Sequence, residues 1–219
     1  MKRIACIHTV YSVISEFTTQ LRAALPEDVK IHTLYDDFLV TDPSETGKFS
    51  SVNHERLRND MHTCALTGAD AIVVSCSTLS PSVRLLRGEF NIPVVAVDDA
   101  MMQAAVAAGS RIGLLATATS TVKPSTSALL AAAEAAGKHV ELQVLCNKDA
   151  IAALNAGDRA THDKLVLEMA DKLSGCDAIV LAQASMAHME QAVSKQTGLP
   201  TFTSPSRCVE QVRRILEGI

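Results

Sequence analysis

Short apolar runs alternate with longer amphipathic segments along the chain. Four consecutive apolar residues, Ala71–Val74, are typical of a strand buried on both faces of a parallel sheet. The apolar runs together predict eight strands, which are Arg3–Ile7, Val29–Tyr35, Ala71–Val74, Pro93–Val97, Ile112–Ala116, Val140–Leu145, Ala178–Ala182 and Thr201–Thr203. The segments between them carry apolar residues at helical spacing, as in Val13, Phe17 and Leu21. This alternation predicts an α/β fold with mostly parallel sheets flanked by helices.

One segment breaks the alternation. Asp36–Ser51 is polar and contains Pro43 and Gly47, so we expect an irregular loop there. A loop of this length serves either as a lid or binding loop or as a plain surface connection.

The chain contains an internal repeat. The motif Asp-Ala-Ile-Val occurs at Asp70–Val73 and again at Asp177–Val180, an offset of 107 residues (177 minus 70). Two further pairs of segments match in nearly the same register: Ile92–Pro93 with Leu199–Pro200, and Arg3–Ile4 with Arg111–Ile112. Three matches in register predict two copies of one unit, each with four strands.

Candidate chemistry follows the central strand of the first copy. Ser75–Thr78 come directly after Ala71–Val74, and Ser80–Pro81 marks the start of a helix. Open α/β sheets bind ligands at the carboxyl ends of their strands. A thiol at Cys76 would lie beside a helix N-terminus, which stabilises anions. The alternatives are a structural cysteine, and an ordinary helix entry at Ser77 and Thr78.

The second copy differs from the first in chemistry. In the repeat register Gln183 corresponds to Cys76, and Ser185 corresponds to Thr78. Thr117, Thr119 and Thr121 follow a strand and could donate hydrogen bonds to an anion, or could simply order their own loop.

Two histidines lie near these strand ends. His8 ends the first strand, beside Thr9, and could act as a proton donor or as the partner of a carboxylate. His188 follows Ser185 by one helical turn and is either structural or a substitute acid. The other histidines are interpreted as surface or packing residues.

Composition excludes several classes of partner. Aromatic residues make up only 3% of the 219 residues, so the chain lacks the rings that nucleic-acid binders stack on bases. The net charge is −4 without a basic run, which disfavours phosphate backbones and anionic membranes. No apolar run suits a signal peptide or the roughly 20 residues of a membrane span.

The six cysteines are scattered without a CxxC pair, which predicts free thiols in a reducing cytoplasm. Cys146 is expected in a buried strand position.

The motifs Val74–Thr78 and Gly113–Thr117, within the duplicated frame, resemble the aspartate/glutamate/hydantoin racemase superfamily over nearly the whole chain. The resemblance implies two pseudo-symmetric lobes with the active site in the cleft between them. By this analogy the last helix returns to the first lobe, so the lobes are residues 1–97 plus 207–219, and residues 98–206. The resemblance also implies chemistry at the carbon next to a carboxylate of a small acid, without pyridoxal phosphate, other cofactor or metal. Because the family often forms dimers, it further implies a homodimer or a higher homo-oligomer.

The resemblance assigns roles by position. Cys76 matches the first catalytic cysteine, and Ser77 and Thr78 match its substrate-binding neighbours. The remaining residues that match substrate-binding positions are His8, Thr9, Thr117, Thr121, Gln183 and Ser185. His8 and Thr9 stand where the amino-acid racemases of the family have Asp-Ser, and Gln183–Ser185 stand where they have Cys-Thr-His. The chain therefore resembles a branch that lacks the second catalytic cysteine.

This loss bears on the reaction. A two-base racemase needs an ionisable group on each face of its substrate, and a glutamine side chain cannot ionise. One thiol suffices for proton delivery after decarboxylation or for addition during isomerisation. We therefore expect a racemase or isomerase of this superfamily acting through Cys76. A single-cysteine decarboxylase and a non-catalytic carboxylate-binding protein are the alternatives.

Overall fold

The computed structural model describes residues 1–218, which form two compact units. The first unit comprises Met1–Val97 together with the C-terminal segment that begins at Ser206, and the second comprises Asp98–Pro205. Each unit contains a four-stranded sheet whose paired strands are all parallel. The predicted α/β architecture with two four-stranded sheets is therefore confirmed. Within residues 1–218, no helix has the length and apolar character needed to span a membrane.

The first unit has two central and two edge strands. Its strands are β1 (Arg3–His8), β2 (Lys30–Tyr35), β3 (Ala71–Val74) and β4 (Val94–Ala96). Its first four helices are α1 (Tyr11–Ala24), α2 (Phe38–Thr46), α3 (Ser51–Leu66) and α4 (Ser80–Leu86), with short 3-10 turns at Ser77–Leu79 and Arg87–Glu89. The sheet order is β2-β1-β3-β4, so β1 and β3 are central.

The second unit repeats this plan. Its strands are β5 (Arg111–Ala116), β6 (Glu141–Cys146), β7 (Ala178–Leu181) and β8 (Thr201–Phe202). Its helices are α5 (Asp99–Ala108), α6 (Thr119–Ala135), α7 (Lys148–Asn155), α8 (Arg159–Ala170) and α9 (Glu190–Thr197), with a 3-10 segment at Ala184–Met189. The last helix, α10 (Ser204–Glu217), packs on the core of the first unit. The sheet order is β6-β5-β7-β8, which corresponds strand for strand to the order β2-β1-β3-β4 of the first unit.

The two sheets also share their register. Ile4 of β1 pairs with Ala71 of β3, and Ile112 of β5 pairs with Ala178 of β7. These pairs are the ones that the offsets of 108 and 107 residues match in the sequence. The sequence repeat is therefore a structural repeat.

The aspartate of the repeated motif has the same contact in both units. Asp70 accepts a hydrogen bond through Oδ2 from the backbone N–H of Arg3 at 2.7 Å. Asp177 accepts through Oδ2 from the backbone N–H of Arg111 at 2.8 Å. In each unit the carboxylate thus satisfies the first amide of a central strand.

Helices cover both faces of the first sheet, which explains the apolar run in β3. Ile72 and Val74 lie in one core with Leu57 of α3, whereas Val73 lies in a second core with Val212 of α10. All four residues of β3 are buried. The burial fixes the end of the strand, and with it the backbone of the polar residues that follow.

The structure corrects two expectations. The expected loop Asp36–Ser51 contains a helix, α2, which Asp36 Oδ1 supports by accepting from the Phe38 N–H at 3.2 Å. Pro43 removes one donor from this helix, but Leu39 is fully buried and anchors it to the core. Cys146 is exposed rather than buried, because it ends the edge strand β6.

Candidate active site

The candidate residues of the first unit lie at the carboxyl ends of its two central strands. His8 is the last residue of β1 and Thr9 follows it, while Cys76 follows β3, which is hydrogen-bonded to β1 along its length. Since the strands are parallel, these ends share one edge of the sheet. The structure therefore brings this part of the predicted site together.

Cys76 leads from the strand into a helical segment. Its backbone is extended, with φ −110° and ψ 114°, and its carbonyl accepts from the Leu79 N–H at 3.1 Å in the 3-10 turn Ser77–Leu79. Cys76, Ser77 and Thr78 are all partly exposed, in contrast to the buried strand before them. The predicted helix start at Ser80–Pro81 is present, but the 3-10 turn precedes it. Cys76 thus packs partly against the core of its unit and remains partly open to solvent.

The six cysteines are free thiols, and they divide by environment. Burial raises the pKa of Cys6 to about 12, with a further contribution from Cys64, whose own pKa burial also raises to about 12. Both thiols therefore stay protonated and inert at neutral pH. Cys208 is also buried, which leaves Cys76, Cys146 and Cys176 accessible to reagents.

His8 is a neutral, buried imidazole. It is fully buried, its ring meets Phe17 edge-on at 5.9 Å, and burial lowers its pKa from 6.5 to about 4. Nδ1 lies 2.8 Å from the Ser75 hydroxyl, which also lies 3.2 Å from the Ile7 carbonyl. Both contacts are satisfied when Ser75 donates to the carbonyl and His8 Nδ1–H donates to Ser75. Nε2 then carries the lone pair.

The end of β1 holds two buried polar atoms without a hydrogen-bond partner among the described residues. These atoms are His8 Nε2 and Thr9 Oγ1. Buried polar atoms nearly always have partners, so a pair of such atoms at the sheet edge that carries Cys76 points to a ligand or an ordered water. Ser75 belongs to this group, although no pattern in the sequence indicated a role for it. The register of β1 and β3, with Ile7 opposite Val74, places it beside His8.

A charged group lies at the same edge of the sheet. Asp36 follows β2 and its N–H donates to the His8 carbonyl at 2.9 Å. Its buried carboxylate pairs with Arg56, with one contact at 3.0 Å, and Arg56 stacks over Phe38 at 5.0 Å. Burial, together with Asp36, raises the pKa of Asp60 to about 7. These contacts tie α2 and α3 to the strand end that carries His8.

In the second unit, Gln183 and Thr117 are joined directly. Gln183 Oε1 accepts from the Thr117 N–H at 2.6 Å, from Thr117 Oγ1 at 3.1 Å and from the Ala118 N–H at 3.2 Å. The donors predicted to bind an anion thus converge on one oxygen, which here belongs to Gln183. The hydrogen bonds that the described residues make to the side chain of Gln183 all end on Oε1, so its Nε2 amide group is available to a ligand.

Thr121 and Ser185 lie in the two segments that follow Thr117 and Gln183. Thr121 is buried in the first turn of α6, and its N–H donates to the Ala118 carbonyl at 3.2 Å. Ser185 is exposed in the 3-10 segment that follows Gln183. Thr121 therefore supports the loop around Thr117, while Ser185 faces solvent.

Several solved structures share this fold. Allantoin racemase from Klebsiella pneumoniae aligns with a TM-score of 0.73 at 21% identity, covering 100% of this chain and 89% of that one. Glutamate racemase from Bacillus anthracis aligns with a TM-score of 0.73 at 17% identity, covering 99% and 82%. Aspartate racemase from Picrophilus torridus aligns with a TM-score of 0.69 at 13% identity, covering 100% and 94%.

Sequence comparison gives the family. None of the curated protein sequences matches the chain. The sequence pattern of the Asp/Glu/Hydantoin racemase family matches residues 7–212, nearly the full length, and membership supports a racemase or isomerase type of function. With its duplicated parallel sheets and its polar strand ends, the chain belongs to the Asp/Glu/Hydantoin racemase family.

Proposed function

We propose that this protein is a cofactor-independent enzyme that acts at the carbon next to a carboxylate of a small acid, with Cys76 as the acid/base or nucleophile. One observation carries the proposal: a partly exposed cysteine follows a fully buried central strand, at the sheet edge that also holds two buried polar atoms without a hydrogen-bond partner among residues 1–218. Family membership supports the type of reaction.

The reaction step that we propose for Cys76 is a reversible proton transfer. Its thiolate takes the proton from the α-carbon, and the negative charge left behind spreads onto the carbonyl oxygens as an enolate. The thiol formed in this step then returns a proton to the same carbon. The Ser77 and Thr78 hydroxyls, both partly exposed next to the thiol, are suited to hold the carboxylate.

By the family resemblance Gln183 stands at the position of the second catalytic cysteine, and our proposal therefore limits the chemistry to one face of the substrate. Gln183 occupies the repeat position of Cys76, and its carboxamide cannot ionise. With Oε1 held by Thr117 and Ala118, Nε2 can donate to a substrate oxygen but cannot supply the second proton. Gln183 therefore favours a reaction that needs one proton-transfer group over two-base racemisation.

His8 narrows the substrate class. A neutral imidazole with a pKa of about 4 lacks the negative charge that would pair with an α-ammonium group. We therefore favour substrates without that group, namely hydantoins, malonates and other small dicarboxylates. Likeness to a protein named allantoin racemase is consistent with a ring of the hydantoin type.

A ligand panel tests the proposal. Thermal shift with hydantoins, malonates and small dicarboxylates should reveal a ligand, since binding to the folded state raises the melting temperature. Turnover of that ligand should be lost in Cys76→Ser and kept in Cys146→Ser, the matched control at an exposed thiol.

Alkylation by iodoacetamide separates an enzyme from a protein that only binds carboxylates. Peptide mapping should show Cys76 reacting faster than Cys146 and Cys176, with protection by the selected ligand. A Cys76 thiol of ordinary reactivity, together with binding that survives in Cys76→Ser, would favour the binding protein. A selected malonate that loses carbon dioxide would instead identify the decarboxylase.

We also propose that the chain forms a homodimer or a higher homo-oligomer, on family analogy alone. Light scattering should give a mass of at least twice the 23.3 kDa of the chain. A mass of one chain at working concentration would contradict this proposal and leave the reaction untouched.

A further inference from the structure

Two histidines and one aspartate converge in the second unit. His162 and Asp163 lie on α8, and His188 lies 25 residues further along, in the 3-10 segment after β7. His162 Nδ1 lies 2.7 Å from Asp163 Oδ1, and His188 Nε2 lies 2.7 Å from the same oxygen. The ligand atoms of the three residues lie within 4.8 Å of one another.

We propose that His162, Asp163 and His188 form a binding site for a divalent transition metal, with Zn²⁺ as the ion that the donor set fits best. Two imidazole nitrogens and one carboxylate oxygen are a recurrent three-ligand set for zinc, which leaves a fourth position to water. Hard cations such as Mg²⁺ and Ca²⁺ prefer all-oxygen sites.

The spacing suits a small ion. Ligands at about 2.1 Å from a tetrahedral ion lie roughly 3.4 Å from one another. The two contacts to Asp163 must therefore lengthen by less than 1 Å from the observed 2.7 Å, and the two histidine nitrogens, now within 4.8 Å, must come to the same spacing.

His162 is buried, whereas the side chains of Asp163 and His188 are partly exposed. His162 is fully buried and its Nε2 atom has no hydrogen-bond partner among residues 1–218, so packing rather than a second hydrogen bond holds the ring. The side chains of Asp163 and His188 are 31% and 26% exposed, which opens the cluster to an ion and its water. The rings of His162 and His188 lie 5.6 Å apart and are tilted by 33°.

A bound ion would connect two elements. The 3-10 segment Ala184–Met189 begins directly after Gln183, and its hydrogen bond to α8 runs through His188 and Asp163. Metal–ligand bonds at these residues would restrain the segment that follows Gln183. The site is built on this chain's own residues and does not depend on the proposed reaction.

Calorimetric titration of chelator-treated, tag-free protein with Zn²⁺ tests the site. We expect one ion per chain, a higher melting temperature with Zn²⁺, and no binding of Mg²⁺. Asp163→Asn and His188→Gln should each weaken Zn²⁺ binding by about 100-fold or more, since even outer-sphere changes cost 10–100-fold. His139→Gln, which removes an exposed histidine of the same unit, should bind as the native protein does.

Co²⁺ identifies the ligand atoms. Nitrogen and oxygen ligands should give visible d–d bands without the near-ultraviolet charge-transfer band that thiolates produce. Absence of Zn²⁺ binding, equal binding by the Asp163 and His188 variants, or a thiolate band with Co²⁺ would each overturn the proposal. Circular dichroism of both variants, with native-like spectra, shows that a loss of binding is not a loss of fold.

Discussion

The side-chain oxygen of Gln183 receives both the backbone N–H and the hydroxyl of Thr117, at 2.6 and 3.1 Å. A third donor, the Ala118 N–H, completes the set at 3.2 Å. Three donors aimed at one oxygen form a cradle that would accept a carboxylate oxygen as readily. In the free protein, Gln183 satisfies these donors and fixes the start of α6.

Removing this oxygen should destabilise the second unit. Gln183→Ala leaves three donors without their acceptor, and we expect the free energy of unfolding to fall by about 1–3 kcal/mol. Urea unfolding measures the change. Gln191→Ala, at an exposed position of α9, is the control and should change stability by less than about 0.5 kcal/mol. Equal stability of Gln183→Ala and the native protein would mean that water replaces the oxygen at no cost.

Gly109 should not tolerate a side chain. A Cβ atom built on Gly109 falls 2.2 Å from the Cβ of Asp177, the residue that accepts from the first amide of β5. The clash is with a Cβ atom, which is bonded directly to the backbone, so it can be relieved only if the backbone at Gly109 or at Asp177 moves. We expect Gly109→Ala to lower the free energy of unfolding by about 2–3 kcal/mol.

Gly88→Ala is the matched control, because a Cβ atom there meets nothing within 4 Å and its backbone needs no positive φ. Its stability should stay within about 0.5 kcal/mol of the native value. Equal effects of the two substitutions in urea unfolding would contradict the close approach of Gly109 to Asp177.

His8 should make the fold sensitive to acid. Its folded-state pKa of about 4 lies below the ordinary value of 6.5, so between these values the unfolded chain binds a proton that the folded chain does not. Stability is therefore lost as the pH falls from about 6.5 to about 4, by roughly 3 kcal/mol from this residue. His8→Gln should remove that part of the loss.

Urea unfolding at about pH 7 and about pH 4.5 measures the effect of His8. The control is His139→Gln, at an exposed position, which should keep the full acid sensitivity. An identical pH dependence in His8→Gln and the native protein would show that His8 takes up its proton in the folded state without penalty.

The repeated residues predicted most of the fold. Asp70 and Asp177 marked equivalent strands, and the offset between them predicted the duplication that the matching pairs of β1 with β3 and of β5 with β7 show. Apolar runs of four residues can be assigned from the sequence because helices on both faces of the sheet bury every position. The helix α2 was missed because Pro43 and Gly47 are typical of loops, whereas burial of Leu39 decides the local structure.

The contacts of the site were harder to predict. The sequence indicated Cys76, His8, Thr117 and Gln183, each at a strand end, but no pattern showed that Gln183 fills the cradle at Thr117. That contact spans 66 residues, and only the pairing of β5 with β7 brings its partners together. The contact of Asp163 with His188 spans 25 residues and joins α8 to the segment after β7, and no motif of fixed spacing indicates it.

The central claim is that Cys76 transfers a proton on one face of the substrate's α-carbon, with no second acid or base to serve the other. Fast racemisation by the native protein would require such a group. Loss of racemisation in His8→Ala or in His188→Ala would then identify the histidine that acts as the second acid or base.

Proton exchange in deuterium oxide tests the claim most directly. Each enantiomer of the acid or hydantoin selected by the ligand panel is incubated with the protein, and deuterium at the α-carbon and optical purity are followed by NMR and chiral chromatography. We predict that one enantiomer gains deuterium without inversion, that Cys76→Ser abolishes the exchange, and that Gln183→Ala mainly weakens binding. Inversion as fast as exchange, or exchange that persists in Cys76→Ser, would contradict the account.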